Sequence, residues 1–252
     1  MNREILEARN LYKNYGGINA LADFSFSIQQ GIILGLIGPN GAGKTTLFNV
    51  LSGFIIPEHG KVLFKGVDIL GIPPYKIANI GIRRTFQNLR LIRQLSVLDN
   101  ILLTFTDQPG EQLSNLFFHR RLIKRIENKN RDKAMRFLED TCLVDKANDP
   151  AEYLSYGQQK LLSLICCLAA EAEIILLDEP VAGIAPEMID TILGIIQDIP
   201  SKGKSIILIE HNLEAITRVC DRVIFIDTGI KVCEGIPEEV RNDPKVIQAY
   251  ID

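Results

Sequence analysis

The sequence lacks any apolar run long enough to cross a bilayer. Leu161–Ala170 and Ile174–Leu177 both fall well short of the roughly 20 residues that a membrane helix needs. The opening residues Met-Asn-Arg-Glu also lack the apolar segment of a secretory signal, so we expect no export. Any association with a membrane is therefore expected to go through a partner protein.

The sequence also lacks an excess of charge of either sign. Its 28 lysines and arginines nearly balance 31 aspartates and glutamates, which excludes the basic footprint of a dedicated nucleic-acid-binding protein. Basic residues concentrate between Arg120 and Arg136, but Glu127 and Asp132 interrupt them, so we interpret this stretch as a solvated helical face. We predict no nucleic-acid partner.

Cysteine is scarce and shows no metal-binding pattern. The chain has five cysteines, none at the spacing of metal ligands, and Cys166 and Cys167 stand side by side in an apolar run. An odd number of cysteines without a signal segment is typical of buried thiols in a reducing cytoplasm. We therefore expect a cytoplasmic location.

The sequence does contain a regular alternation of short apolar runs and helical patterns. Buried strands are predicted at Ile32–Ile37, Ile174–Leu177, Ser205–Ile209 and Val223–Ile226, and helices at Lys44–Leu51, Pro186–Ile199 and Leu213–Val219. Strands that alternate with helices predict an α/β fold with a mostly parallel sheet. Ile5–Tyr12 and Phe24–Ile28 alternate in polarity and predict an N-terminal antiparallel β portion.

The middle of the chain differs in character. Leu98–Leu143 has few strand signals and repeats apolar residues at helical spacing among charges. We interpret it as part of a helical subdomain, at about residues 88–165, that is inserted into an α/β core at about 1–87 and 166–252. The chain is thus predicted to be a single domain spanning residues 1–252.

A glycine-rich loop matches the phosphate-binding pattern G-x-x-x-x-G-K-[ST] in full. Its glycines let backbone N–H groups point at phosphate oxygens, and the helix that follows adds its positive end. Lys44 can reach the β- and γ-phosphates, and the Thr45 hydroxyl can bind Mg²⁺. An apolar strand before and a helix after argue against a chance glycine loop. We predict that ATP is bound by Gly38, Pro39, Asn40, Gly41, Ala42, Gly43, Lys44, Thr45 and Thr46.

Acidic and polar residues follow three other predicted strands. Asp178 ends the strand Ile174–Leu177 and is predicted to hold Mg²⁺, while Glu179 beside it can polarise the attacking water. His211 follows Ser205–Ile209 and is predicted to contact the γ-phosphate. Gln87 follows Ile82–Thr85 and cannot titrate, so it is predicted to serve catalysis as a ligand of Mg²⁺ and water. Two solvated acids and a structural histidine are the alternatives.

Leu154–Gln159 reads Leu-Ser-Tyr-Gly-Gln-Gln and precedes an apolar helix. Ser155 and Gly157 at a helix start can form a second anion site. A simple helix cap by Ser155 is the alternative interpretation.

Taken in order, these motifs resemble the ATP-binding subunit of ABC transporters over essentially the full length of the chain. The resemblance implies that two such subunits pair head to tail around two ATP molecules. Ser155–Gln158 of one subunit would then cap the γ-phosphate held by the other. Tyr15 matches the aromatic residue that stacks on adenine, although it could instead be an ordinary core or surface tyrosine.

Finer features resemble the importers of branched-chain amino acids and related small polar solutes. They are Tyr15–Leu21, Arg84–Leu89, the helical insert, Tyr156, and the tail Pro237–Tyr250. The resemblance implies permease subunits docked on the insert and on the segment after Gln87. It also implies a second, identical or related ATP-binding subunit and, indirectly, an extracytoplasmic solute-binding protein. The chain would lie peripherally on the cytoplasmic face of the inner or plasma membrane.

Three positions depart from the family pattern. Ala185 stands where aspartate or asparagine is general, and Leu161 and Cys166 stand where arginines are common. These changes put in question the coupling between the two ATP sites. Three other functions remain open at this stage: an ATPase of lipid or lipopolysaccharide export, a non-transport ABC ATPase acting on DNA or ribosomes, and a small-molecule kinase.

Overall fold

A computed structural model describes residues 4–85, 91–105 and 120–251. The strands and helices are bounded as follows: β1 Glu4–Tyr15, β2 Ile18–Gln29, β3 Ile33–Ile37, α1 Lys44–Leu51, β4 His59–Phe64, β5 Val67–Asp68, α2 Pro74–Asn79, β6 Ile82–Arg84, α3 Val97–Leu102, α4 Arg120–Asp140, α5 Tyr156–Ala169, β7 Ile174–Asp178, α6 Pro186–Asp198, β8 Ser205–Ile209, α7 Leu213–Val219, β9 Arg222–Asp227, β10 Ile230–Gly235, α8 Pro237–Arg241 and α9 Pro244–Ile251. Short 3₁₀ turns lie at Val144–Lys146, Ala151–Tyr153 and Pro200–Lys202.

Two sheets organise the α/β part of the chain. The six-stranded sheet has the order β10-β9-β3-β8-β7-β6 and is parallel from β9 to β6, while the four-stranded sheet has the order β2-β1-β4-β5 and is antiparallel. Every residue of β3, β7 and β8 is buried, as expected for strands covered on both faces. The predicted mostly parallel α/β core with an antiparallel N-terminal portion is confirmed.

The hydrophobic core of this part joins both sheets to the first helix. Leu6 and Phe24 of the antiparallel sheet, Phe48 of α1, and Leu36 and Ile224 of the parallel sheet belong to one buried cluster. Burial of such large side chains contributes about 1.5–3 kcal/mol each. The cluster therefore holds α1, and with it the glycine loop, at the sheet.

Sequence analysis missed β10, because its exposed edge position gives it no apolar pattern. β10 ends at Gly235 and pairs antiparallel with β9. Thr228 and Gly229 connect the two strands and both have positive φ, the geometry of a tight two-residue hairpin turn.

The chain divides into two compact units. The first comprises Met1–Gln87, Glu173–Ala182 and Ile192–Asp252, and the second comprises Asn88–Ala172 and Gly183–Thr191. In the second unit, α4 turns Ile123, Ala134 and Leu138 inward and packs with α3 and α5. Among the described residues, no helix is both long and apolar enough to cross a membrane.

Candidate nucleotide site

The glycine loop follows β3 at the carboxyl end of the parallel sheet, between its neighbours β8 and β9. Gly38 has φ +151°, and a Cβ there would lie 2.0 Å from the carbonyl oxygen of Ile226. Gly43 has φ +109°, and its Cβ would lie 2.1 Å from the carbonyl oxygen of Ala20. Both ends of the loop contact neighbouring backbone directly, so no residue larger than glycine fits at either position.

Lys44 is the first residue of α1 and is buried at the mouth of the loop. Its ammonium donates hydrogen bonds to the carbonyl oxygens of Gly38, at 2.7 Å, and Pro39, at 2.8 Å. Burial lowers the pKa of Lys44 from its usual value, and the carboxylates of Glu179 and Asp178 oppose that shift. The amino group of Lys44 thus lies at the site where phosphates are predicted.

A cavity of about 240 Å³ brings the loop together with two of the residues predicted as catalytic. Its lining consists of Asn40, Gly41, Ala42, Gly43, Lys44, Thr45, Thr46, Glu179, Ile209 and His211. Whole-ligand pockets usually exceed about 300 Å³, so this cavity suits a polyphosphate rather than an entire nucleotide. Tyr15 and Asp178 are not among the described residues that line it.

Glu179 and His211 come from the ends of adjacent strands and meet in the cavity. His211 Nε2 lies 3.1 Å from Glu179 Oε1. Glu179 has φ +49° and its N–H donates to the carbonyl oxygen of Ile209 at 2.9 Å. Left-handed backbone costs a residue other than glycine about 1–2 kcal/mol, so this conformation is imposed by the surrounding structure.

Glu210 directly precedes His211 and is a functional candidate that sequence analysis missed. The residue is 2% exposed, and its carboxylate accepts the N–H of Val181 at 2.9 Å and that of His211 at 3.2 Å. It therefore stabilises both the backbone at Val181, just after Glu179, and the backbone of His211, whose side chain contacts Glu179. The sequence pattern that could have indicated Glu210 is an acidic residue directly after the apolar strand Ser205–Ile209.

Asp178 ends β7 and forms an ion pair with Arg84 at the end of β6. Arg84 Nη2 lies 2.8 Å from Asp178 Oδ2, and the N–H of Asp178 donates to Thr85 Oγ at 3.2 Å. Sequence analysis missed this role of Arg84, because 94 residues separate the partners.

Tyr15 and Gln87 are the predicted adenine-stacking residue and the predicted ligand of Mg²⁺ and water. Tyr15 ends β1 with 45% of its surface exposed, and the ammonium of Lys13 lies 5.3 Å from its ring centroid. The ring is thus accessible for stacking. Gln87 lies outside the described residues, so its predicted role in catalysis and metal binding stays a prediction.

Ser155 caps the N-terminus of α5. Its hydroxyl accepts the N–H of Gln158 at 3.3 Å, and the Gln158 side chain accepts the N–H of Ser155 at 3.0 Å. Gly157 faces Met188, whose Cγ would lie 3.1 Å from an added Cβ. Capping is therefore one role of Ser155. Its predicted contact with phosphate remains a prediction.

The three departures from the family pattern fall in the second unit. Ala185 is exposed just before α6, and Leu161 is buried in α5. Cys166, also on α5, lies with its sulfur 3.5 Å from the carbonyl oxygen of Asn100. The two α5 positions thus carry apolar or weakly polar side chains that pack inside the unit.

A complete glycine-lysine-threonine loop at the carboxyl end of a parallel sheet, with a cation and a carboxylate in one cavity, defines a P-loop nucleotide-binding protein. The family described as ABC transporter matches residues 21–182, and the family described as branched-chain amino acid ATP-binding cassette transporter matches residues 231–251. The chain belongs to the ABC transporter family and is an ATPase of that family.

Individual proteins support this assignment over the full length. The high-affinity branched-chain amino acid transport ATP-binding protein BraF of Pseudomonas aeruginosa is 34% identical over 252 residues, which cover 100% of this chain and 99% of BraF. LivG of Escherichia coli, with the same description, gives the same identity and coverage. A crystal structure of the ADP conformation of an ABC transporter cassette has 34% identity, 99% coverage of both chains and a TM-score of 0.84.

Proposed function

We propose that this chain is the ATP-hydrolysing subunit that powers an importer of branched-chain amino acids or related small polar solutes. The observation that carries the solute class is the match of residues 231–251 to the branched-chain amino acid family, in addition to relatives named for that transport. The lipid-export, DNA-acting and kinase alternatives have no such support.

In the proposed reaction the phosphates of ATP lie against the backbone N–H groups of Gly38–Thr46 and the Lys44 ammonium. Glu179 accepts a hydrogen bond from the attacking water and so polarises it, while His211 holds the Glu179 carboxylate and contacts the γ-phosphate. Tyr15 offers its ring to adenine. Preorganised charges of this kind stabilise the transition state more than the ground state.

The donor set fits Mg²⁺, which prefers hydroxyl, carboxylate and amide oxygens. Thr45, Asp178 and Gln87 would hold the ion, and Thr45 is one of the residues that line the cavity. When bound, the ion neutralises phosphate charge.

The proposed assembly comprises two ATP-binding subunits on the cytoplasmic face of a membrane, with permease subunits and, beyond them, a solute-binding protein. Ser155, Gly157 and Gln158 would complete the ATP site of the facing subunit. The two ATP-binding subunits can be identical or related chains.

Glu179→Gln should leave ATP binding intact and lower hydrolysis by about 100-fold or more, because an amide cannot take a proton from water. The variant should also accumulate as an ATP-bound dimer. Phosphate release measures hydrolysis, equilibrium nucleotide binding measures affinity, and gel filtration detects the dimer. Glu238→Gln, an exposed acid on α8, is the matched control. Undiminished hydrolysis in Glu179→Gln would contradict the assigned role.

Purification of the tagged chain from its own membrane tests the transport assignment. A multi-span permease should be recovered with it, and replacing the chain with the Glu179→Gln variant should abolish uptake of labelled leucine, isoleucine or valine in the same cells. Co-purification with ribosomes or nucleic acid, together with unchanged uptake, would overturn the proposal.

A further inference from the structure

Arg84 and Asp178 form the most deeply buried ion pair among the described residues. Their side chains are 7% and 6% exposed, and Nη2 of Arg84 lies 2.8 Å from Oδ2 of Asp178. The two residues end adjacent parallel strands, β6 and β7. An ionised carboxylate buried to this degree requires a partner, since removing one from water alone costs several kcal/mol.

The same guanidinium also reaches the helix that follows the glycine loop. Arg84 Nη1 donates to Asn49 Oδ1 at 2.7 Å and lies 3.5 Å from Ser52 Oγ. The guanidinium carbon lies 5.3 Å from the centroid of the Phe48 ring, a cation–π distance. Asn49 and Phe48 belong to α1, so Arg84 joins α1 directly to the end of β7.

These two elements carry different halves of the proposed metal site. Thr45 lies at the start of α1 and Asp178 at the end of β7. A planar guanidinium with several donors fixes the spacing between its partners better than a flexible ammonium does. Arg84 therefore sets the relative position of the two metal-binding elements.

Charge at the site gives Arg84 a second consequence. Glu179 lines a cavity that must accept the negative phosphates of ATP, and the carboxylate of Asp178, one residue earlier, interacts electrostatically with Lys44 of the same lining. Charges in a partly buried site interact more strongly than they do in water, because the effective dielectric constant there is lower. The Arg84 cation cancels much of the repulsion that Asp178 would otherwise exert on an incoming phosphate chain.

We infer that Arg84 is a positioning residue that holds Asp178 and supplies its counter-charge, so that the cavity accepts ATP before a divalent cation is bound. This inference rests on the proposed function, because it assumes that the cavity takes ATP phosphates. It assigns to Arg84 a role in nucleotide affinity without Mg²⁺ that is separate from hydrolysis.

Equilibrium binding of a fluorescent ATP analogue tests the inference, measured once with Mg²⁺ and once with EDTA. Arg84→Gln should weaken binding in EDTA by about tenfold and binding with Mg²⁺ by less than about threefold, since the metal neutralises Asp178 in the second case. Arg83→Gln is the matched control. It removes the same charge from the adjacent residue, whose side chain points to the opposite face of the strand. Equal weakening under both conditions would mean a merely structural role and would overturn the inference.

A second pair of variants keeps the test decisive if Arg84→Gln does not fold. Asp178→Asn leaves the Arg84 cation without its carboxylate, so binding in EDTA should strengthen by about tenfold relative to the parent. Arg84→Gln/Asp178→Asn removes both charges together, which a buried pair tolerates better than loss of one. The double variant should return to the parent affinity. Equal affinities of Asp178→Asn and the double variant would overturn the inference.

The parent protein separates this inference from the proposed function. If the parent binds no ATP analogue even with Mg²⁺, the proposed function fails. If the parent binds the analogue but neither Arg84→Gln nor Asp178→Asn changes its affinity in EDTA, only the role inferred for Arg84 is contradicted.

Discussion

Glu210 does not line the cavity, yet its hydrogen bonds help to position Glu179 and His211, which do. Its two carboxylate oxygens accept N–H groups on either side of the Glu179–His211 contact. Because Glu179 lies in a left-handed conformation, it stays in place only while neighbouring hydrogen bonds hold it. Glu210 supplies one of those bonds through Val181.

Glu210→Gln should lower both stability and hydrolysis while leaving ATP binding intact. An amide has one acceptor oxygen for two N–H donors, and its own NH₂ would meet a donor, so we expect about 1–3 kcal/mol lower free energy of unfolding. Hydrolysis should fall about tenfold as Glu179 and His211 lose their alignment. Urea unfolding and phosphate release measure these effects, with exposed Glu214→Gln as control. Parent-like hydrolysis in Glu210→Gln would rule out the bracing role.

At the scale of secondary structure, the glycine loop is defined as much by its neighbours as by its own residues. Gly38 and Gly43 approach backbone of β9 and β2 respectively, closely enough to exclude any Cβ. The intervening Gly41 also has positive φ, at +80°, but has no atom within 4 Å of its Cβ position. Gly38 and Gly43 are therefore required both for close packing and for their positive φ, whereas Gly41 is required for its positive φ alone.

Gly43→Ala and Gly41→Ala form a matched pair that tests this distinction. Gly41→Ala carries only the conformational penalty of about 1–2 kcal/mol. Gly43→Ala adds a clash with the Ala20 carbonyl, so we expect a loss of about 3 kcal/mol or more in the free energy of unfolding and no detectable binding of an ATP analogue. Chemical denaturation and binding titrations measure both. Equal losses in the two variants would show that the close contact is relieved at no cost.

At the scale of the whole molecule, the chain contains two compact units with different kinds of predicted function. The first carries the cavity with Lys44, Glu179 and His211, and the second carries the Ser155–Gln158 turn. In the proposed dimer this turn serves the ATP held by the facing subunit. Ser155 then has a role beyond capping α5.

Ser155→Asp and Ser155→Asn distinguish the cap from the phosphate contact. Both side chains cap helices as well as serine does, so the free energy of unfolding should change by less than about 1 kcal/mol. Only aspartate places a negative charge against the γ-phosphate, so Ser155→Asp should lower hydrolysis at least tenfold more than Ser155→Asn. Thermal unfolding and ATPase assays measure the two effects. Equal ATPase rates in the two variants would leave Ser155 as a helix cap alone.

Features that depend on short stretches of chain could be predicted from the sequence. The glycine loop was predicted between a buried strand and a helix, as the structure has it. The helix Lys44–Leu51 and the strand Ser205–Ile209 were predicted with the bounds that the structure has, because buried strands and loop-helix junctions leave a local pattern. The fold class followed from the alternation of such segments. β10 escaped prediction because an exposed edge strand has no such pattern.

Which side chains contact one another becomes evident only in the folded chain. Arg84 meets Asp178 across 94 positions, and Glu210 meets Val181 across 29. Neither pairing leaves a local pattern, since each arises from the order in which the strands assemble into the sheet. The motifs that predict ATP chemistry are thus readable from the sequence, whereas the charges and hydrogen bonds around them depend on strand neighbours that folding alone brings together.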